Sequence, residues 1–402
     1  MERLHPTDGS GQKTSPLTPY LPQLIQGLFT AASSAPDNTL RLATFEALNS
    51  LVKASPEDCY PTVVQSTTEV ITRLEASMHQ AAQITTNEAM QALADMQTNF
   101  LSLLQACIDV LRPDDVKQIS DQIMTIMLAL VANSATGETS AVKEDVMLTV
   151  SKLIEPLGPD FIKYLDWVKP HVLAGLQNTA ETQVCSTCVG VTGDLTRGLG
   201  EVLLPHCNDF MTYLLGAIAS PDLDRDIKPM ILSTFGDIGM AIGEKFAAYY
   251  PPTVQTLQGA ARHCMANTAE LQDYDEIDHF NELREGCLDG YTGILQGLSG
   301  PDPDAVNQAA VAMFQDQVQF LVEFIGTIFQ DSELSDANKR GALGILGDLC
   351  NAFGGNMAPL LPDEFCTYVV TQGRQSDDAT TRSVAEFANV KLMQAKGAAG
   401  MR

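Results

Sequence analysis

Positive charge is what this chain lacks most. Lys and Arg total 24 against 50 Asp and Glu, which leaves a formal charge of −26. Nucleic acid and anionic lipid are held through basic residues, so neither suits this surface. A basic partner does. Aromatic residues are scarce as well, at 6% with Trp167 the single indole. Small and straight-chain apolar side chains must then fill the interior, as they do where helices pack closely on helices. No run of 18 apolar residues occurs, and the nearest approach, Ile123–Ala132, is too short to span a bilayer, so no membrane insertion is expected. Alternation with period two is absent over any strand's length, and no sheet is expected. Phosphate-binding Gly loops, nucleophile elbows and zinc-protease spacings are also missing. The plentiful carboxylates read as open helix faces rather than the enclosed, unequal pairs of general acid–base catalysis. An enzyme is therefore not expected, and no cofactor is implied.

Nine cysteines (59, 107, 185, 188, 207, 264, 287, 350 and 366) are an odd, unclustered set among apolar positions. They read as thiols packed like small hydrophobes in a reducing compartment. Cys185 and Cys188 form one Cys-x-x-Cys, but no second ligand pair accompanies them, so no zinc motif is read.

What the chain does have is a repeat. Five stretches of seventeen residues align without a gap: Val142–Gly158, Val184–Gly200, Ile227–Gly243, Leu283–Ser299 and Asn338–Gly354. Their fifth places are apolar (Val146, Cys188, Ile231, Cys287, Ala342). Their tenth to twelfth places read Ser151-Lys152-Leu153, Gly193-Asp194-Leu195, Gly236-Asp237-Ile238, Thr292-Gly293-Ile294 and Gly347-Asp348-Leu349. Starts 42, 43, 56 and 55 residues apart leave room for two helices and two turns per unit. The reading is all-α: a right-handed superhelical solenoid of about eight helix pairs. Residues 1–16, polar and aperiodic, read as a flexible leader, and 17–402 as one array. Expected details include a long helix from Tyr60 to Ala82, a turn at 134–140 and a break at the Pro301-Asp302-Pro303 run. First-turn acids are expected at Asp114, Asp302 and Asp336, and left-handed helix ends at Gly158, Gly200, Gly243 and Gly354.

The sharpest surface signal lies in the sixth unit. Asp275, Asp278, Glu282, Glu285 and Asp289 follow steps of 3, 4, 3 and 4, which puts all five on one helix face. Ile277, Phe280, Leu283, Cys287, Tyr291 and Ile294 take the opposite side, and Arg284 points elsewhere. Like charges at this spacing weaken a helix, so the stripe is either a solvated face or a site. Asp194, Asp237 and Asp348 share one repeat position. They either extend an acidic wall or bond neighbouring repeats in a ladder, with Lys152 interrupting.

Several segments resemble a known family. Val189–Leu195 with Arg197, Phe235–Gly243, Asn281–Leu298 and Leu346–Gly354 are similar to the C-terminal half of importin-β (karyopherin-β) receptors, which are HEAT-repeat nuclear import receptors. Asp58-Cys-Tyr-Pro, Gln118-Ile-Ser-Asp and Phe161-Ile-Lys-Tyr add to the resemblance, which runs in order from Leu40 to Phe387. It implies a receptor of the cytoplasm, nucleus and nuclear pore. It implies further that second helices wrap the basic N-terminal helix of importin α, or a basic cargo signal, on an acidic concave wall holding the stripe and Asp194, Asp237 and Asp348. Phe387 stands where the family commonly has Trp in a last helix that also contacts this partner. Clefts between first helices are implied docking points for Phe-Gly nucleoporins, and Ran-GTP is expected to bind only weakly. Intact receptors are longer, and the array opens at Leu17 without the polar cap of an end repeat. The chain therefore reads as a fragment or a shortened gene product. The rival reading is a passive HEAT scaffold that binds through inter-helix turns.

Overall fold

The computed structural model of the chain describes residues 14–35, 37–81, 84–133, 140–265, 273–302, 305–331 and 333–400. Most of the expected leader, the turn at 134–139 and position 303 of the Pro-Asp-Pro break lie outside these residues. Every regular element among them is helical. The chain divides into two compact units, Met1–Lys169 and Pro170–Arg402.

In the first unit, α1 (Leu21–Ser34) pairs with α2 (Asn38–Lys53), α3 (Tyr60–Ala81) with α4 (Asn87–Ile108), and α5 (Pro113–Asn133) with α6 (Ser140–Leu157). Helix starts are fixed by side-chain oxygens that take up orphan backbone donors. Asp37 accepts from the Leu40 amide, and Thr86 from that of Ala89. Apolar residues at helical spacing fill the seam between hairpins, where Phe45 meets Phe100 edge-on at 5.2 Å. Polar pairs then tie each hairpin to the next. Thr14 and Thr18 donate to Asp58 at 2.6 and 3.1 Å, the Tyr60 hydroxyl donates to Asp115, and Lys152 reaches Asp109 at 2.9 Å. Tyr164 donates to Asp121 at 2.6 Å, beside Lys163 at 2.9 Å. These links join the Gln118-Ile-Ser-Asp and Phe161-Ile-Lys-Tyr segments across the hairpin boundary.

Helix α7 (Ile162–Gln177) carries the chain into the second unit. There α8 (Thr182–Leu199), α9 (Cys207–Ile218), α10 (Lys228–Ile242), α11 (Tyr250–His263) and α12 (Tyr274–Ser299) follow. The four-residue α13 (Gln308–Val311) precedes α14 (Val318–Gln330), α15 (Asp336–Phe353), α16 (Asp363–Arg374) and α17 (Ala379–Gly400). The second helices α8, α10, α12, α15 and α17 stack in sequence and form one wall of the unit. Ser335 caps α15 by accepting from the Asn338 amide, and Asp336 occupies the first turn as expected. The expected helix-ending glycines all have positive φ, from 52° to 59°. Their backbone is not ordinary left-handed helix, however. Gly200, Gly243 and Gly354 have ψ near −135°, a mirror-extended region that a side chain forbids more strictly. In the fourth copy this role shifts one residue on, to Gly300.

The tightest join is between α10 and α12. A Cβ added at Gly286 would lie 2.5 Å from the Pro229 carbonyl oxygen, and one at Gly290 2.6 Å from that of Leu232. Gly293 and Gly297 sit against the Gly236 and Gly239 carbonyls just as closely. Two backbones thus meet with no side chain between them. All nine cysteines are free and buried, and burial pushes the Cys107 and Cys188 thiols up to about 12.

Candidate functional site

Helix α12 carries the acidic stripe. Asp273 caps it by accepting from the Asp275 amide, and acids in the first turn complement the helix dipole. Leu283, Cys287, Tyr291 and Ile294 are buried on the far side, as the spacing requires. Ile277 and Phe280 are only half-buried, because the first two turns of this long helix have less protein against them. Asp275, Asp278, Glu282 and Asp289 are exposed, and Glu285 is half-exposed. Arg284 does the opposite of what a surface charge does. It is 0% exposed, donates from Nε to the Cys264 carbonyl at 2.9 Å, and pairs through Nη2 with Asp331 at 2.9 Å. Its place was legible in the sequence, since 284 lies four after Phe280 and three before Cys287, on the apolar stripe.

The stripe is electrostatically crowded. Surrounding protein pushes Asp289 up to about 6, with Glu285 and Asp237 adding to the rise and Arg340 opposing it. Asp289 is nonetheless exposed as a whole, at a hollow that it helps to line. Partial burial also raises Glu282, followed by Asp226, Asp278 and Glu285, against Arg225. The bases that moderate the stripe thus come from adjacent hairpins, where sequence spacing within one helix could not reveal them.

Asp194, Asp237 and Asp348 are laddered. Arg197 pairs with Asp194 of its own helix at 2.6 Å and also with Asp237 on α10. Gln296 on α12 donates to Asp348 on α15 at 2.8 Å. In each case the donor stands three residues past the repeat's acid position and reaches the acid of the next repeat. Where the donor position holds Met240, the next acid position holds Gly293 and needs no partner. Burial raises Asp237 and Asp348 despite these bonds, so both remain costly charges.

Two hollows adjoin these residues. Arg197, Asp237, Met240 and Asp289 line one of about 270 Å³. A larger cleft of about 950 Å³ is lined by Met240, Leu298, Asp348, Asn351, Phe387 and Lys391, among others. Phe387 lies against Gly347, where a Cβ would collide with its ring, and stays 39% exposed. The wall therefore combines crowded carboxylates with an open cleft of mixed polarity in which Met240, Leu298 and Phe387 supply the apolar surface. Asp275 and Asp278 stand on the exposed first turns of α12 and line neither hollow.

The family described as importin subunit beta-1-like, TPR repeats, matches residues 1–374. The chain belongs to the importin-β family. Importin subunit beta-1 of Arabidopsis thaliana is 30% identical over 390 residues, which cover 95% of this chain and 43% of that protein. A crystal structure of importin beta in an ammonium sulfate condition superposes with a TM-score of 0.89 at 30% identity, covering 98% of this chain and 44% of that one. A Kap95:Nup1 complex matches with a TM-score of 0.78 at 26% identity, covering 95% and 43%. The chain thus spans less than half the length of these relatives. Its helical hairpins are those of an importin-β HEAT array, and the Gly236–Gly293 and Gly239–Gly297 contacts of the α10–α12 join fall within the Phe235–Gly243 and Asn281–Leu298 segments that carried the resemblance.

Proposed function

We propose that this chain acts as part of a nuclear import receptor and holds a basic helix, either the N-terminal helix of importin α or a basic cargo signal, against its second-helix wall. One observation carries the reading. Glu282, Glu285 and Asp289 share one face of α12, and packing around two of them raises their pKa values. Carboxylates crowded in this way, only partly offset by Arg225 and Arg340, are relieved by an incoming cation. In this reading Asp275, Asp278 and Asp194 provide outer attraction, Asp237 and Asp348 the inner charge, and Phe387 with its cleft an apolar anchor. The receptor works in the cytoplasm and nucleus and at the nuclear pore. Ran-GTP binds this chain weakly, and Phe-Gly nucleoporins are further partners, consistent with the complex named for a Kap95 relative.

The test is a triple reversal, Glu282→Lys, Glu285→Lys and Asp289→Lys, assayed against a basic importin-α N-terminal peptide over a salt series. Single exposed ion pairs are worth about 0.2–1 kcal/mol, whereas micromolar binding needs about 8 kcal/mol, so many acids must act jointly. A loss of about tenfold to several hundredfold is expected, with the fold retained. Unchanged binding at every salt concentration would reduce the stripe to a solvated face.

A further inference from the structure

Where α12 meets the preceding hairpin, three groups converge that no sequence motif joins. Asp226 lies in the short helical turn Arg225–Ile227 ahead of α10, while His279 and Glu282 stand one turn apart on α12. One ligand atom from each lies within 4.8 Å of the other two. His279 is 8% exposed, yet its Nδ1 has no hydrogen-bond partner. That nitrogen faces Asp226 Oδ1 at 3.6 Å, too far for a hydrogen bond.

The Asp226–His279 separation suits another interaction, with a Glu282 oxygen within reach of both. Nitrogen and oxygen ligands about 2.0–2.2 Å from a tetrahedral ion lie roughly 3.4 Å from each other. We propose that Asp226, His279 and Glu282 form a binding site for a divalent transition-metal ion of the zinc class, with water completing the coordination. The imidazole selects the class, since calcium and magnesium prefer all-oxygen shells, whereas zinc accepts imidazole and carboxylate together.

The electrostatics agree with the geometry. Burial, first, and then Arg225 lower the pKa of His279, with Asp226 opposing and His263 and Lys228 assisting. Neutral imidazole is the form that binds metal. Asp226, Asp278 and Glu285 crowd Glu282, and a dication relieves that repulsion. Arg225 is the competitor. Its Nε lies 3.5 Å from Asp226 Oδ1, but its side chain is about half exposed and is free to swing away. A bound ion would pin the N-terminal half of α12 to the turn of the hairpin before it. It would also withdraw Glu282 from the acidic stripe, so metal and a basic peptide should compete.

The experiment is calorimetric titration of the full chain with zinc chloride, paired with cobalt(II) absorption spectra. Parent protein should bind one zinc with micromolar affinity, and His279→Gln and Glu282→Gln should each weaken it at least about tenfold. Glu282 is exposed, so its variant keeps the test valid if the histidine variant fails to fold. Cobalt should give spectra of nitrogen and oxygen ligands without thiolate charge-transfer bands. Three results overturn the assignment: no saturation below about 1 mM zinc, thiolate bands in the cobalt spectrum, or magnesium binding as tightly as zinc.

Discussion

Arg284 and Asp331 form an ion pair across 2.9 Å, with side-chain exposures of 0% and 1%. It links α12 to the turn after α14, part-way along the helix that carries the stripe. A buried pair of this kind adds little over an apolar one, but breaking it strands a charge. Asp331→Ala should therefore cost about 3–5 kcal/mol. Urea unfolding, together with hydrogen exchange along α12, checks this. A loss below about 0.5 kcal/mol would mean that water or another group already satisfies the guanidinium.

Backbone contact between α10 and α12 predicts intolerance of even one methyl group. Gly293→Ala places a Cβ within collision distance of the Gly236 carbonyl. Overpacking of this kind costs about 1–3 kcal/mol, whereas the same change at Gly259, with open space around it, should stabilise its helix slightly. Melting temperatures of the two variants should move in opposite directions.

Periodicity made the helices and their pairing legible because both depend on spacing along the chain. It also placed Asp275 to Asp289 on one face, since i, i+3 and i+4 geometry is local. What stayed hidden is what needs a second helix. The pairing of Arg197 with Asp237, the approach of Asp226 to Glu282, and the opposing charge of Arg340 all arise between repeats whose offset the sequence does not state. Arg284 is a different case. Its position gave its burial away, but its charge argued for solvent, and the partner that reconciles the two lies 47 residues on at Asp331. The repeated acids were readable as wall or ladder. The ladder bonds form, yet burial still raises the pKa values of Asp237 and Asp348, so those bonds do not fully offset the cost of charging them.

Removing the ladder's base separates these two roles. Arg197→Gln deletes the cation shared by Asp194 and Asp237. Arg197 is largely exposed but the Asp237 side chain is only 26% exposed, so stability should fall by about 1–2 kcal/mol. Binding of a basic peptide should tighten a few-fold and become more salt-sensitive, because two carboxylates are released toward it. Titration calorimetry at two salt concentrations checks this. Weaker binding would assign Arg197 to holding the wall's shape.

Asp289 makes the wall pH-sensitive in a direction that can be worked out. Its folded pKa of about 6 lies above the ordinary 3.8, because burial and the neighbouring Glu285 and Asp237 outweigh Arg340. The neutral form is therefore favoured by folding. Its stabilising effect is complete below about 4 and is lost as pH rises through 6. Asp289→Asn should accordingly raise the melting temperature at pH 7.5, and that gain should shrink as pH falls toward 5. Partner binding runs the other way. A basic helix prefers the ionised carboxylate and lowers its pKa, so binding below pH 6 must release a proton. At pH 5 most of Asp289 is protonated, and affinity should be up to about fivefold weaker than at pH 7.5 through this group alone. Asp289→Asn should bind more weakly at pH 7.5 yet lose most of that dependence. Peptide affinity measured from pH 5 to 8 on both proteins decides the matter. Parallel profiles would place the titrating group elsewhere, whereas a flat profile for the variant alone locates it at Asp289.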